Sequence, residues 1–172
     1  MATLPKAKNY ILFTDTFAIN DMDKEGKKFD RVSRFTGRGE NLEMELTIDI
    51  NIELYPLDIG DKVMIMLTTS LSLDTANIAQ SEEAILPFPI MTQGDQTERP
   101  SWKEKTSMDR DLSDDYEYIM YGKVYKYDEE KRSKVAVYMS FGGLLMALEG
   151  DFRHVQNIHV GQNVYMLMKR QY

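Results

Sequence analysis

Between residues 42 and 54 apolar and polar side chains alternate without a break. Leu42, Met44, Leu46, Ile48, Ile50, Ile52 and Leu54 take one parity, and Glu43, Glu45, Thr47, Asp49, Asn51 and Glu53 take the other. A period of two predicts a β-strand with one buried face. At about 3.3 Å per residue the segment would span on the order of 40 Å, so it is expected to bend or to serve two sheets. Its second face is acidic and would repel a nucleic-acid strand laid across it.

The flanking segments read as further strands. Residues 10–19, YILFTDTFAI, predict a first strand ended by the polar turn Asn20-Asp21-Met22-Asp23. Residues 29–35 predict a second, with Gly37-Arg38-Gly39 supplying permissive backbone for a reversal. After a turn at Pro56-Leu57-Asp58-Ile59-Gly60-Asp61, a fourth strand is expected over 62–71, where Val63, Ile65 and Leu67 alternate with Met64, Met66 and Thr68. From 72 to 113 no period holds, and Pro87, Pro89 and Pro100 fall here, which predicts a long flexible loop between strands four and five. Within it residues 85–91, ILPFPIM, are too apolar for a pure spacer; they are expected either to pin the loop onto the domain or to dock a partner. Trp102 belongs to the same loop, and residues 1–9 read as a loose polar leader.

The stretch 116–150 is apolar on both faces of its strands. In YEYIMYGKVYKY, Tyr116, Tyr118, Met120 and Val124 lie on one face, and Ile119, Tyr121, Tyr125 and Tyr127 on the other. An antiparallel strand with one face in water shows only one apolar face. One face can fill a core, and the other needs a second cover. Gly122 inside this strand predicts a bulge or the close approach of another backbone, and Gly142-Gly143 a sharp corner where a barrel strand turns. Asp151 is placed to cap one or two helical turns through Asn157, Gly161 ends them, and 164–169, VYMLMK, predict a final strand. About eight mostly antiparallel strands with little helix predict an all-β barrel or sandwich.

Composition narrows the function. The 172 residues suffice for one domain with a real core. No apolar run approaches the roughly 18 residues of a membrane span, so a soluble globular protein is expected. The short run 10–13 is interrupted by Thr14 and Asp15 and does not read as a signal peptide. With no cysteine, disulfides, thiolate catalysis and cysteine-ligated zinc are excluded, and a reducing compartment fits. Lys and Arg number 21 against 28 Asp and Glu, a net charge of −7, which argues against a nucleic-acid binder that relies on a basic face. Lys27, Lys28, Arg31, Arg34 and Arg38, with Lys169 and Arg170, are the candidates for a local basic groove.

Candidate chemistry is thin. Asp21, Asp23 and Glu25 before Gly26 imitate the opening of a calcium loop, but the twelfth position is Val32, which cannot supply the bidentate carboxylate. His154 and His159 are spaced so that they would not share one metal. Ser140 precedes Phe141-Gly142-Gly143, yet a strand follows, so this is neither a nucleophile elbow nor a phosphate loop. The acid pairs Glu82-Glu83, Asp114-Asp115 and Glu129-Glu130 fall in loops or turns, where solvated charge is expected. Neither a catalytic set nor a cofactor or metal site is expected.

Residues 25–34 (EGKKFDRVSR), 57–62 (LDIGDK), 116–125 (YEYIMYGKVY), 140–146 (SFGGLLM) and 164–169 (VYMLMK) resemble the eighth, small subunit shared by eukaryotic nuclear DNA-directed RNA polymerases I, II and III. The similarity runs in order over nearly the whole chain, apart from the leader and part of the 72–113 loop, which is longer here than in that family. The resemblance implies an antiparallel β-barrel related to the OB-fold, built from two joined halves, and a non-catalytic place at the periphery of a nuclear polymerase, in nucleoplasm and nucleolus. It further implies the largest polymerase subunit and the equivalent of the third subunit of polymerase II as partners. Tyr116, Tyr118, Tyr121, Tyr125, Phe141, Gly142, Gly143 and Leu145 are the expected contact residues. The alternative is a single-strand nucleic-acid binder with stacked tyrosines in an OB-like groove.

Overall fold

The computed structural model describes residues 10–27, 29–71 and 111–172. These residues divide into two units. In the unit to which residues 71 and 111–115 belong, the Leu112 amide donates to the Leu71 carbonyl at 2.8 Å, and Leu112–Asp115 make one 3-10 turn. The leader, most of the 72–113 loop, the ILPFPIM segment and Trp102 lie outside the described residues.

The other unit, Tyr10–Ser70 with Tyr116–Tyr172, is an eight-stranded antiparallel barrel. Its strands are β1 (Ile11–Met22), β2 (Val32–Gly39), β3 (Glu45–Asn51), β4 (Lys62–Thr68), β5 (Tyr118–Glu129), β6 (Lys134–Phe141), β7 (Leu144–Asp151) and β8 (Asn163–Arg170). They close in the order β1-β2-β3-β7-β6-β5-β8-β4. β4-β1-β2-β3 and β7-β6-β5-β8 are thus two four-stranded halves, joined where β3 meets β7 and where β4 meets β8. Closure removes the open sheet edges that would otherwise template aggregation. Inward positions from every strand, among them Phe17, Phe35, Ile48, Ile65, Val124, Met139, Leu148 and Met166, fill one core.

Alternation sets which face is buried, and local contacts set where each strand stops. Met44, Leu46, Ile48 and Ile50 are fully buried as their period requires, but β3 spans only Glu45–Asn51. Leu42 and Ile52 are half-buried beyond its ends and Leu54 is exposed, so no single 40 Å strand forms. β1 runs past residue 19 to Met22, absorbing the polar step in a bulge between Ile19 and Asp21. Gly37-Arg38-Gly39 continue β2 instead of reversing it. A side chain at Gly39 would collide with Asp15, whose carboxylate accepts from the Asn41 and Leu42 amides at 3.2 and 3.0 Å and fixes the reversal there. β4 ends at Thr68, where the hydroxyl donates to the Tyr10 carbonyl at 2.8 Å.

The joint between β3 and β7 is short, running from Glu45↔Glu149 to Ile48↔Met146. Beyond it the ladder parts and the buried carboxylate of Asp49, 7% exposed, takes over. It accepts from the Leu145 amide of β7 at 2.9 Å and from Nε and Nη2 of Arg34 of β2 at 2.7 and 3.1 Å. The hydrogen bond to Asp49 is also the main cause that raises the Arg34 pKa. Three strands share one carboxylate, and its removal would orphan donors at a cost of about 1–3 kcal/mol.

One end of the core is closed by Tyr55 stacked on Tyr118, ring centroids 5.3 Å apart. The Tyr55 hydroxyl donates to Glu117 at 3.3 Å, and the Arg170 guanidinium lies 5.1 Å from the Tyr55 ring centre. Burial, helped by the Glu117 carboxylate, pushes Tyr55 up to about 12 from an ordinary 10.0. The neutral phenol is therefore favoured by folding. Its stabilisation is complete below pH 10 and is lost as pH climbs through about 12. Denaturant unfolding at successive pH values should show Tyr55→Phe losing less stability across that window than the parent chain, with the residual loss carried by Tyr118, Tyr127 and Tyr138, whose hydroxyls burial also pushes up.

Candidate functional site

β5 pairs with β8 through its first half and with β6 through its second. Crossing from one neighbour to the other brings its outward side chains into rows with those of β6, β7 and β8. Tyr121 sits opposite Tyr165 of β8, ring centroids 4.6 Å apart and tilted by 45°. In the next row Lys123 faces Asn163 on one side and Ser140 on the other, and Ser140 in turn faces Leu145. Beyond that Tyr125 lies 6.2 Å from Tyr138, over whose ring Lys126 Nζ stands at 5.4 Å. Tyr121 is 55% and Tyr125 46% exposed, and Leu145 is exposed beside them.

Two glycines allow this arrangement. A Cβ on Gly122 would run into the Ser140 carbonyl and come within 2.8 Å of the Phe141 Cα, so only glycine lets β5 pass this close to β6. Gly142 and Gly143 form the two-residue connection between Phe141 and Leu144, with φ of +66° and +104°. A hairpin turn with positive φ at both central residues matches the twist of its strands and strongly prefers glycine. The predicted corner is thus a tight hairpin turn, and both glycines are exposed.

The structure brings Tyr121, Tyr125 and Leu145 onto this outer face, with the Gly142-Gly143 turn ending its β6 and β7 strands. It corrects two expected contact residues. Tyr118 is only 9% exposed and points into the barrel, stacked on Tyr55, and Phe141 is 5% exposed in the core. Tyr116 lies outside the strand; its ring is covered by Lys169 Nζ at 4.9 Å and its hydroxyl contacts Met66 Sδ at 3.9 Å. Tyr127 is also displaced from its expected face. The bulge between Val124 and Lys126 resets the alternation, so Val124 and Tyr127 both turn inward while Tyr125 and Lys126 stay out. Tyr138 and Tyr165 were missed as members of the face, although each is the outward polar-tipped residue in an otherwise apolar run, VAVYM and VYML.

No cluster of three metal-ligating side chains occurs among the described residues. Asp23 accepts from the Arg34 amide at 2.9 Å and Asp21 from the amide of Met22, so both carboxylates serve the β1–β2 turn. Asp151 caps the helical turn α1 (Phe152–Val155) through the Arg153 amide, as expected, and places His154 on that turn with His159 exposed beyond it. What the face offers is contact area. Tyrosine presents a large apolar ring with few rotatable bonds and a polar tip, the combination that protein interfaces favour.

Placement decides what substitution does here. Tyr121→Asp should leave the thermal midpoint within a few degrees of the parent, because its ring is half in water. Tyr118→Asp should cost about 3 kcal/mol or more by burying a carboxylate in the core. Calorimetry of the two variants checks the assignment of faces.

Comparison with known proteins places the chain. The family model described as RNA polymerase Rpb8 matches residues 14–170. The chain is 39% identical over 166 residues to an Arabidopsis thaliana protein named DNA-directed RNA polymerases II, IV and V subunit 8B, covering 95% of this chain and 99% of that one. It is 40% identical over 161 residues to the Dictyostelium discoideum DNA-directed RNA polymerases I, II, and III subunit rpabc3, covering 93% and 97%. To the Saccharomyces cerevisiae DNA-directed RNA polymerases I, II, and III subunit RPABC3 it is 34% identical over 160 residues, covering 92% and 97%. A family match across all eight strands, with relatives covered nearly end to end, leaves one conclusion: the chain belongs to the RNA polymerase Rpb8 family.

Proposed function

We propose that this chain is the non-catalytic Rpb8-type structural subunit of nuclear DNA-directed RNA polymerases, and that it joins them through the outer face of β8, β5, β6 and β7. Family membership supports the polymerase assignment. The observation that carries the contact surface is the outward aromatic row of exposed Tyr121 and Tyr125 with half-buried Tyr165 and Tyr138 beside them on a closed barrel. Among the described residues no second sheet covers these rings, and another protein chain is the cover proposed. The largest polymerase subunit and the equivalent of the third subunit of polymerase II are the proposed partners, shared among polymerases I, II and III. Assembly with them places the chain in the nucleus, in nucleoplasm and nucleolus. Single-strand binding is the weaker reading: the rings are tilted against one another and the chain carries a net charge of −7.

Affinity purification of a tagged chain from nuclei, followed by mass spectrometry, tests this. The parent chain should bring down the largest subunits of all three polymerases. Tyr121→Asp with Tyr165→Asp should fold like the parent yet recover them at least about tenfold less. Undiminished recovery by the double variant would show that the contact lies elsewhere on the barrel.

A further inference from the structure

Closure of the barrel leaves one length of strand unpaired on one side. β8 begins at Asn163 and pairs with β5 only as far as Lys123. The last contacts between them are the Val124 amide to the Gln162 carbonyl at 3.0 Å and the Gly161 amide to the Val124 carbonyl at 2.8 Å. The chain before Gly161 then swings away towards α1, while β5 continues to Glu129. Along this second half, among the described residues, β5 bonds only to β6. The Glu130 amide donates to the Lys134 carbonyl at 2.7 Å, so by the antiparallel alternation Glu130, Asp128 and Lys126 point their backbone groups at β6. Tyr127 and Glu129 point theirs the opposite way, into the space that β8 has left.

That space is a shallow groove of about 330 Å³ lined by Tyr127, Glu129, Phe152, Gln156, Ile158, His159 and Val160. Ile158 is buried, whereas Phe152 and Val160 leave large apolar surfaces in water. The Tyr127 hydroxyl is buried without a hydrogen-bond partner, so turning towards an incoming acceptor gains a bond and breaks none. Glu129 is exposed at the groove and has no ion pair among the described residues, whereas Asp128 beside it is paired with Lys126.

We infer that an extended segment of a partner protein adds to this edge as a further strand beside β5, in line with β8. Backbone N–H and C=O groups of Tyr127 and Glu129 bond the segment, an apolar side chain enters between Phe152 and Val160 over Ile158, and a Lys or Arg next to it meets Glu129. The basic residue follows from charge complementarity, since the groove is lined by the Glu129 carboxylate, which has no ion pair among the described residues. Strand addition of this kind takes its affinity from the main chain and its specificity from the side-chain pocket. The surface is separate from the tyrosine face, and the inference rests on the polymerase-subunit reading for the source of the segment.

Amide-resolved hydrogen exchange on the purified full chain and on nuclear polymerase carrying it tests the proposal. In the free chain the Tyr127 and Glu129 amides should exchange at least about 100-fold faster than those of Lys126 and Asp128. In the assembled polymerase they should slow to the same range. Slow exchange already in the free chain would overturn the proposal by showing that the edge is not open. A chain recovered in polymerase with these two amides still fast would overturn it while leaving the subunit reading intact, and a chain not recovered in polymerase at all would sink both. Glu129→Pro supplies a second measurement, because it removes the outward N–H together with the carboxylate at the groove and keeps the β6 ladder. It should leave the melting temperature unchanged and lower recovery with polymerase about tenfold, and unchanged recovery would count against the added strand.

Discussion

The barrel depends on how its two halves are joined, and the weaker joint is held by a carboxylate. Between β3 and β7 the backbone ladder supplies few pairs, and where it parts the side chain of Asp49 bonds to strands β2 and β7 at once. A hydrogen-bonded carboxylate is a stiff link only while dry, and Asp49 is buried. Leu145 is positioned by that bond, Gly142 and Gly143 turn the chain just before it, and β6 is paired with β7 along its whole length. The tyrosine face therefore inherits its geometry from a joint whose residues are mostly hidden from it.

Closure also explains why the face is apolar without being part of a core. Each strand spends its inward side chains on one shared interior, and β5, β6 and β8 still carry rings on the outside. In a lone monomer such a patch is a liability, and in an assembled complex it is a contact surface. The rings are preorganised against one another and against Lys126, so little side-chain freedom remains to be lost when a partner covers them.

The pattern revealed the all-β class, about eight mostly antiparallel strands and the core parity of residues 44–50, because a period of two is a local property that burial enforces; it left barrel and sandwich open, and the family resemblance pointed to the barrel. It revealed the close approach at Gly122, since a glycine within an aromatic strand marks a place where a neighbouring backbone leaves no room for a side chain. Strand ends were less legible. Gly37 and Gly39 suggested a turn, but they answer to Ala18 and Asp15, which are distant in sequence. The site was half legible for a similar reason. The apolar excess placed Tyr121, Tyr125 and Leu145 on a second face, and they do lie outside, whereas Tyr118 and Phe141 lie within. A bulge at Val124 shifted Tyr127 inward by adding one residue, which no composition pattern announces.

The central claim is that the outer tyrosines are covered by polymerase subunits, and hydroxyl-radical footprinting of the chain, free and within purified polymerase, measures it most directly. Tyr121, Tyr125 and Tyr165 should be readily oxidised in the free chain and protected on assembly, while Leu54, exposed outside this face, keeps its reactivity. Equal oxidation of the three tyrosines in both states would contradict the account.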